Sequence, residues 1–412
     1  MLNAVLSVYS LLLAICILLL GSGLLGTVIG LRAGLEGFSN TVTGIVMSAF
    51  FVGYIIGAYL CPRLVRSVGY IRAYSVFAAI AAVAMILHGL IIDAFVWWWL
   101  RIISGVCVMG LYMIIESWLN SMIKEHPKRG RIFSVYMMIT LASLGAGQYF
   151  LLLYGPSELA SFALGAIFFI LSLVPVAVTR LSQPVNVSVP RMMLRKLVKA
   201  SPLGAAGAFC SGLASGAFWG MGALYARGMG FDSSGIAIFI SAIVFGGVLL
   251  QYPIGHQSDL HDRRSVLTVV SIVSALVAGV AFLVTPAIQP LFLGIVLLYG
   301  GVSFSVYSLS VAHTQDQVTA DQVLDVTRSL LLLNGTGAAL GPVVAGVMMQ
   351  QMGDGSLMLC FSLVFLLLAL FAIYRHLAGE PIPEEAQEGF VSVTRTSPEI
   401  IGMNPRADNS HQ

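Results

Sequence analysis

The chain has 412 residues, 58% of them apolar and 9% charged, with a net charge of +3. A soluble globular domain carries about 25% charged residues, so this composition excludes one and indicates a polytopic membrane protein. The small, scattered positive charge excludes a nucleic-acid-binding face. Five cysteines with neither paired spacing nor neighbouring histidines point to no disulfide framework and no metal site.

The first apolar stretch covers about residues 6–30. No Lys or Arg precedes it and no clear cleavage site follows, so it reads as a retained spanning helix rather than a removed signal. Spans two to six follow at about 42–61, 73–92, 96–120, 132–154 and 160–179. After a polar segment come spans seven to twelve, at about 203–226, 234–254, 266–287, 291–313, 328–351 and 355–377. Each approaches the ~20 residues that cross about 30 Å of hydrocarbon at a helical rise of 1.5 Å per residue. The expected fold is all-α, with twelve transmembrane helices in two pseudo-symmetric six-helix bundles, residues 1–180 and 203–377.

A cytoplasmic linker, 181–202, joins the bundles, and residues 378–412 read as a disordered tail, since they contain Pro-Ile-Pro-Glu-Glu and lack apolar periodicity. Within the linker, Pro190–Ala200 alternates basic and apolar residues. That pattern fits a short helix on the anionic inner leaflet or a solvated connector. With an even number of spans, eighteen of the 21 Lys and Arg residues fall on the side of the termini. Arg32 and Arg227 fall on the other side, and Arg101 lies within span four. The positive-inside rule then places both termini in the cytoplasm.

The two halves repeat. Glu116 is matched by His313 and Arg131 by Arg328, each 197 residues on, and Leu144-Gly145 by Leu340-Gly341, 196 residues on. Internal duplication of this kind marks a transporter built from two related bundles. The small-xxx-small pairs Gly26/Gly30, Gly53/Gly57, Gly212/Gly216/Gly220 and Gly337/Gly341 serve close helix packing, which matters where lipid removes the hydrophobic drive for association.

Span four carries two charges, Arg101 and Glu116, fifteen residues apart. On a helix that is about 22 Å along the axis and about 60° around it, with Gly105 and Tyr112 on the same side. Charges at membrane depth cost at least ~3 kcal/mol when they face lipid, so this face should look toward protein or water. Arg101 could handle substrate or protons in a cavity, or it could snorkel to the outer headgroups beside Trp97–Trp99. Glu116 could carry a proton, or it could form a structural ion pair with Arg129 or Arg131.

In span ten, Tyr299, Ser303, Tyr307, Ser310 and His313 share a sector of about 120°. This polar row should face a cavity or a helix interface, and His313 titrates near pH 6.5 when unperturbed. Trp219 in span seven offers aromatic surface to an organic solute, or serves packing. Asn334 and Gln148 are further candidates, and His88 reads as an interface residue. No GxxxxGK[ST] loop is present, so an ion gradient is the expected energy source. No nucleophile–base pair, metal cluster or cofactor motif indicates an enzyme.

The loop after span eight reads Gly255-His-Gln-Ser-Asp259-Leu-His-Asp262-Arg263-Arg264. It resembles the loop signature of the major facilitator superfamily, with Asp262 where the family has a second Gly. The loop after span two keeps that glycine as Gly69, and the distal Arg72, but has Arg66 at the acidic position. Arg101-Ile-Ile-Ser-Gly105 looks like the superfamily's second motif. Glu116-Ser-Trp-Leu-Asn, Gly130-Arg131-Ile-Phe-Ser-Val-Tyr136 and Gln251-Tyr-Pro-Ile-Gly255 look like its YcaD-type bacterial subgroup.

The resemblance implies a secondary transporter of the bacterial inner membrane. It would work as a monomer, moving a small organic solute by alternating access and drawing on protons. It implies a cavity role for Arg101, and a conformational latch at Gly255, Asp259, Arg263 and Arg264 with Gly69 and Arg72 in the first half. The Asp259 carboxylate can pair with Arg263 or Arg264 and with the positive end of the next helix in one conformation, and release in another. Span five lacks the Gly-Pro element of drug-exporting members, which weighs against multidrug efflux. A receptor on the same fold is the alternative from another class.

Overall fold

The computed structural model describes residues 2–123, 129–178, 194–284, 289–318, 322–378 and Ser397, with side chains from residue 8 onward except those of Arg129, Gln289, Leu324 and Ala378. Most of the linker and of the tail expected to be disordered lies outside these residues. The described chain is helical almost throughout, as bilayer-embedded backbone must be to satisfy its own hydrogen bonds. Its elements are α1 (Leu2–Leu35), α2 (Asn40–Val68), α3 (Tyr70–Leu90), α4 (Ala94–Ile123), α5 (Arg129–Gly147), α6 (Leu159–Leu171) and α7 (Leu173–Val178). Then come α8 (Leu194–Ala200), α9 (Pro202–Gly228), α10 (Ser233–Leu260), α11 (Arg263–Leu283), α12 (Gln289–Gln315), α13 (Val323–Met352) and α14 (Ser356–Ala378).

Eleven stretches are long and apolar enough to cross a bilayer, with α6 and α7 forming one of them. The Gly- and Ala-rich α9 completes a twelfth together with α8, from which it is bent by 116°. Helix α8 lies at the end of the linker whose pattern suggested a short interfacial helix.

The chain divides into two units. The first contains residues up to Phe38, then Ala49–Pro190 and Thr394–Gln412; the second contains Arg191–Val393 and the first turns of α2, Ser39–Ser48. Inside the first unit α4 is the most enclosed helix, with nineteen of its thirty residues buried. It is crossed by α2 at two glycines. A Cβ on Gly53 would strike the Ile102 carbonyl, and one on Gly105 would strike the Phe50 carbonyl. A second reciprocal crossing joins α1 and α5, where Gly23 meets Leu144 O and Gly147 meets Leu20 O.

The second unit repeats both crossings between the corresponding spans. Gly246 and Gly300 bring α10 against α12, and Gly212, Gly216, Gly337 and Gly341 bring α9 against α13. In each case an absent side chain lets one helix backbone rest on the other, which supplies the dispersion contacts that hold helices together in lipid. The same four spans of each half use the same device, and this is the structural counterpart of the repeat seen in the sequence.

Candidate functional site

Arg101 and Glu116 both face the interior of the first unit. Arg101 is 3% exposed and Glu116 0%, so Arg101 does not snorkel to the lipid headgroups. Its guanidinium carbon lies 4.6 Å above the Phe50 ring, a cation–π contact. The α2–α4 glycine crossing enforces that proximity, because Gly105, one turn after Arg101, rests on the Phe50 carbonyl. A run of aromatic rings continues from there toward Glu116. Phe50 and Tyr54 on α2 have centroids 6.0 Å apart, and Tyr54 and Tyr112 6.3 Å. The Tyr112 hydroxyl pairs with Ser22 on α1.

Glu116 accepts from two hydroxyls; the side chain of Arg129, one of its expected ion-pair partners, lies outside the described residues. Tyr136 Oη on α5 donates to Oε1, and Ser397 Oγ donates to Oε2. Sequence reasoning missed both partners. Tyr136 stood inside a subgroup motif without a role, and Ser397 belongs to the segment read as a disordered tail.

Beyond Arg101, the same cluster contains His88, expected at the membrane interface. The structure buries it completely, with its ring 5.7 Å from that of Trp97, one turn before Arg101 on α4. His88 Nδ1 bonds to the Ala84 carbonyl at 2.6 Å, and Trp97 Nε1 donates to Ile91 O at 2.6 Å. Gln148 is also wholly buried, as a clamp between helices: Nε2 donates to Gly23 O at 2.9 Å, and Oε1 accepts from the Thr27 hydroxyl.

In the second unit the span-ten row is buried along its whole length on α12: Tyr299, Ser303, Tyr307, Ser310 and His313 are each at most 5% exposed. Its members meet protein in different ways. Tyr299 stacks on Phe361 of α14, with centroids 5.1 Å apart. Ser303 and Ser310 donate to carbonyls of their own helix, and Ser310 fills the space beside Gly207 of α9. His313 Nε2 lies 3.1 Å from the Gln317 amide nitrogen. Trp219 is half-buried beside Phe218. Asn334 Nδ2 donates to Ala208 O at 2.9 Å, tying α13 to α9.

The loop signature forms a defined cluster. Arg263, 2% exposed, donates to both oxygens of Asp316 at 2.9 and 2.8 Å, to Ala312 O at 3.0 Å and to Asp259 at 3.3 Å. Asp316, one turn beyond His313, was missed by sequence reasoning and is the closer of the two acids. Arg264 reaches the Arg375 carbonyl at 3.4 Å, and Gly255 is buried on α10.

The departure at Asp262 also has a local cause. Asp262 has φ −52° and caps α11, accepting from Ser265 N at 3.1 Å, whereas Gly69, the glycine kept in the first loop, has φ +85°. Only the first loop therefore takes a backbone path that requires glycine. Its Arg66 and Arg72 are exposed, and Arg66 Nε donates to Pro62 O. Among the described residues neither has an acidic partner.

The comparisons agree with this architecture. The family model described as Major Facilitator Superfamily matches residues 11–323 and 204–402. An uncharacterised MFS-type transporter YcaD of Escherichia fergusonii is 26% identical over 359 residues, spanning 86% of this chain and 92% of that protein. An uncharacterised MFS-type transporter of an Enterobacter species is 28% identical over 379 residues, spanning 90% and 96%. Among solved structures, the nucleoside transporter NupG superposes with a TM-score of 0.74 at 14% identity, covering 90% of this chain and 99% of that one. A bacterial homologue of the human lysosomal transporter Spinster, inward-facing and occupied, gives 0.69 at 14% identity, covering 92% and 97%. At that identity the likeness to both structures is one of fold. A family model that covers nearly the whole of a twelve-span chain places this protein in the major facilitator superfamily.

Proposed function

We propose that the protein is a proton-coupled secondary transporter that moves a small organic solute across the bacterial inner membrane by alternating access, as a monomer with both termini in the cytoplasm. The observation that carries this reading is a carboxyl group, Glu116, fully buried in a membrane helix and bonded to the hydroxyls of Tyr136 and Ser397. An ionisable group at membrane depth is expensive to keep, and its retention speaks for use. Hydroxyl partners suit a proton carrier, because a hydroxyl donates to the carboxylate and accepts from the acid, so both protonation states keep hydrogen bonds.

Arg101 and the aromatic rings between it and Glu116 serve the solute in the first unit, and Trp219 and the α12 row serve it in the second. Asp259, Arg263 and Arg264, seated by Gly255, latch one conformation, and the first-half loop at Gly69 and Arg72 takes part. The orientation rests on the distribution of Lys and Arg. The names of the fold neighbours do not carry over to the cargo.

Glu116→Gln keeps the shape and removes the titration. In proteoliposomes it should abolish accumulation driven by a pH gradient while leaving solute exchange at equal pH. Undiminished pH-gradient dependence in Glu116→Gln would refute the coupling.

A further inference from the structure

We propose that Arg101 is the anchor of a site for an organic monocarboxylate, so that the solute class is anionic. This rests on the reading of the first unit's inner face as solute-handling and adds the charge of the cargo. Arg101 is 3% exposed, and among the described residues it makes no ion pair and no hydrogen bond; its Nε is buried without an acceptor. A buried guanidinium normally carries carboxylates on its fork, as Arg263 does with Asp316 and Asp259. The guanidinium of Arg101 instead lies over the face of Phe50. Glu116, the one acid in the same helix, lies about 22 Å along the axis, too far to neutralise it directly.

A second orphaned polar atom stands in the same cluster. His88 is 0% exposed and, among the described residues, its Nε2 has no partner. Its ring stands against Trp97, on the Arg101 face of α4. With Nδ1 bonded to Ala84 O, Nε2 presents a lone pair. An Arg that lacks an acceptor and a His that lacks a donor are both satisfied by a carboxylate bearing a nearby hydroxyl. Phe50, with Tyr54 beside it, and Trp97 supply apolar surface for its carbon body. One uncompensated positive charge calls for one negative charge, and the planar fork matches a carboxylate.

The test is thermal stability of the full-length protein in detergent at constant chloride. Lactate, benzoate and salicylate are compared with lactamide, benzamide, salicylamide and benzylamine, because a ligand of the folded state raises its melting temperature. The carboxylates should stabilise the wild type, salicylate most, and the amides and the amine should not. Arg101→Gln should weaken carboxylate binding at least tenfold, and Arg101→Lys, which keeps the charge without the fork, less.

Ligand-free Arg101→Gln should melt no lower than the wild type, because it removes a buried charge with no partner. A lowered melting temperature would make Arg101 structural and overturn the proposal. So would equal stabilisation by the matched amides or by added chloride alone, a carboxylate shift that survives Arg101→Gln, or no carboxylate shift in the wild type. If a neutral or cationic solute binds instead, the transporter reading stands and only the anionic class falls.

Discussion

Replacing Asp316 by Asn removes the closer counter-ion of Arg263 without changing its shape. Both groups are almost wholly enclosed, with side chains 2% and 1% exposed, and they share two hydrogen bonds of 2.9 and 2.8 Å. Breaking a buried pair by removing one partner costs about 3–5 kcal/mol, because the remaining charge stays desolvated. Asp259 is a different case: its side chain is 31% exposed and its one bond to Arg263 is 3.3 Å. Partly exposed pairs of this kind are worth about 0.2–1 kcal/mol. A unit of roughly 200 residues loses about 2–4 °C of melting temperature per kcal/mol.

Asp316→Asn should therefore melt roughly 6–20 °C below the wild type, and Asp259→Asn no more than about 4 °C below. The readout is the fraction remaining monodisperse after heating, followed by size-exclusion chromatography. If the two variants melt alike, or Asp259→Asn melts lower, the assignment of Asp316 as the main partner is wrong. If Asp259 is a latch, its substitution should instead change the balance of conformations, read as altered transport rate at nearly unchanged stability.

Further outcomes follow from the packing and from the α11 cap. Leu at Gly105 or Gly300 would drive a side chain into the carbonyl of Phe50 or Ile243, costing at least ~1–3 kcal/mol and sharply lowering yield. Gly294, by contrast, has open space where a Cβ would sit and should accept Ala with a gain of about 0.5–1 kcal/mol in the same assay. Gln148→Leu leaves the Thr27 hydroxyl without its acceptor and should cost about 1–3 kcal/mol. Asp262→Ala removes the α11 cap and should cost about 1 kcal/mol, whereas Asp262→Gly, the family's usual residue there, should cost only a few tenths. Equal losses in the two Asp262 variants would contradict the capping account.

The spanning helices were legible because lipid leaves the chain no other way to satisfy its backbone, so long apolar runs translate directly into helices. The inward orientation of Arg101 and Glu116 was legible for the same energetic reason. What those side chains touch was not. Periodicity fixes a face but does not say what the face meets: Tyr299 shares a sector with His313, yet its ring packs on Phe361. Asp316 pairs with Arg263 across 53 residues, and Tyr136 with Glu116 across twenty, separations at which no sequence rule assigns partners. A signal for Asp316 did exist, as an acid one turn past the titratable residue of span ten and facing the basic pair of the loop signature. His88 was misplaced because position near a span end suggested the headgroup region, whereas its ring is enclosed between helices α3 and α4.

The carrier account is tested most directly by solute counterflow. Purified full-length protein is reconstituted into proteoliposomes preloaded with the panel solute that stabilises it most, and entry of the labelled solute is followed at equal pH. The account predicts transient accumulation of label above its external concentration, which Glu116→Gln retains and Arg101→Gln loses. Binding without any exchange would contradict it and identify a sensor built on a transporter fold.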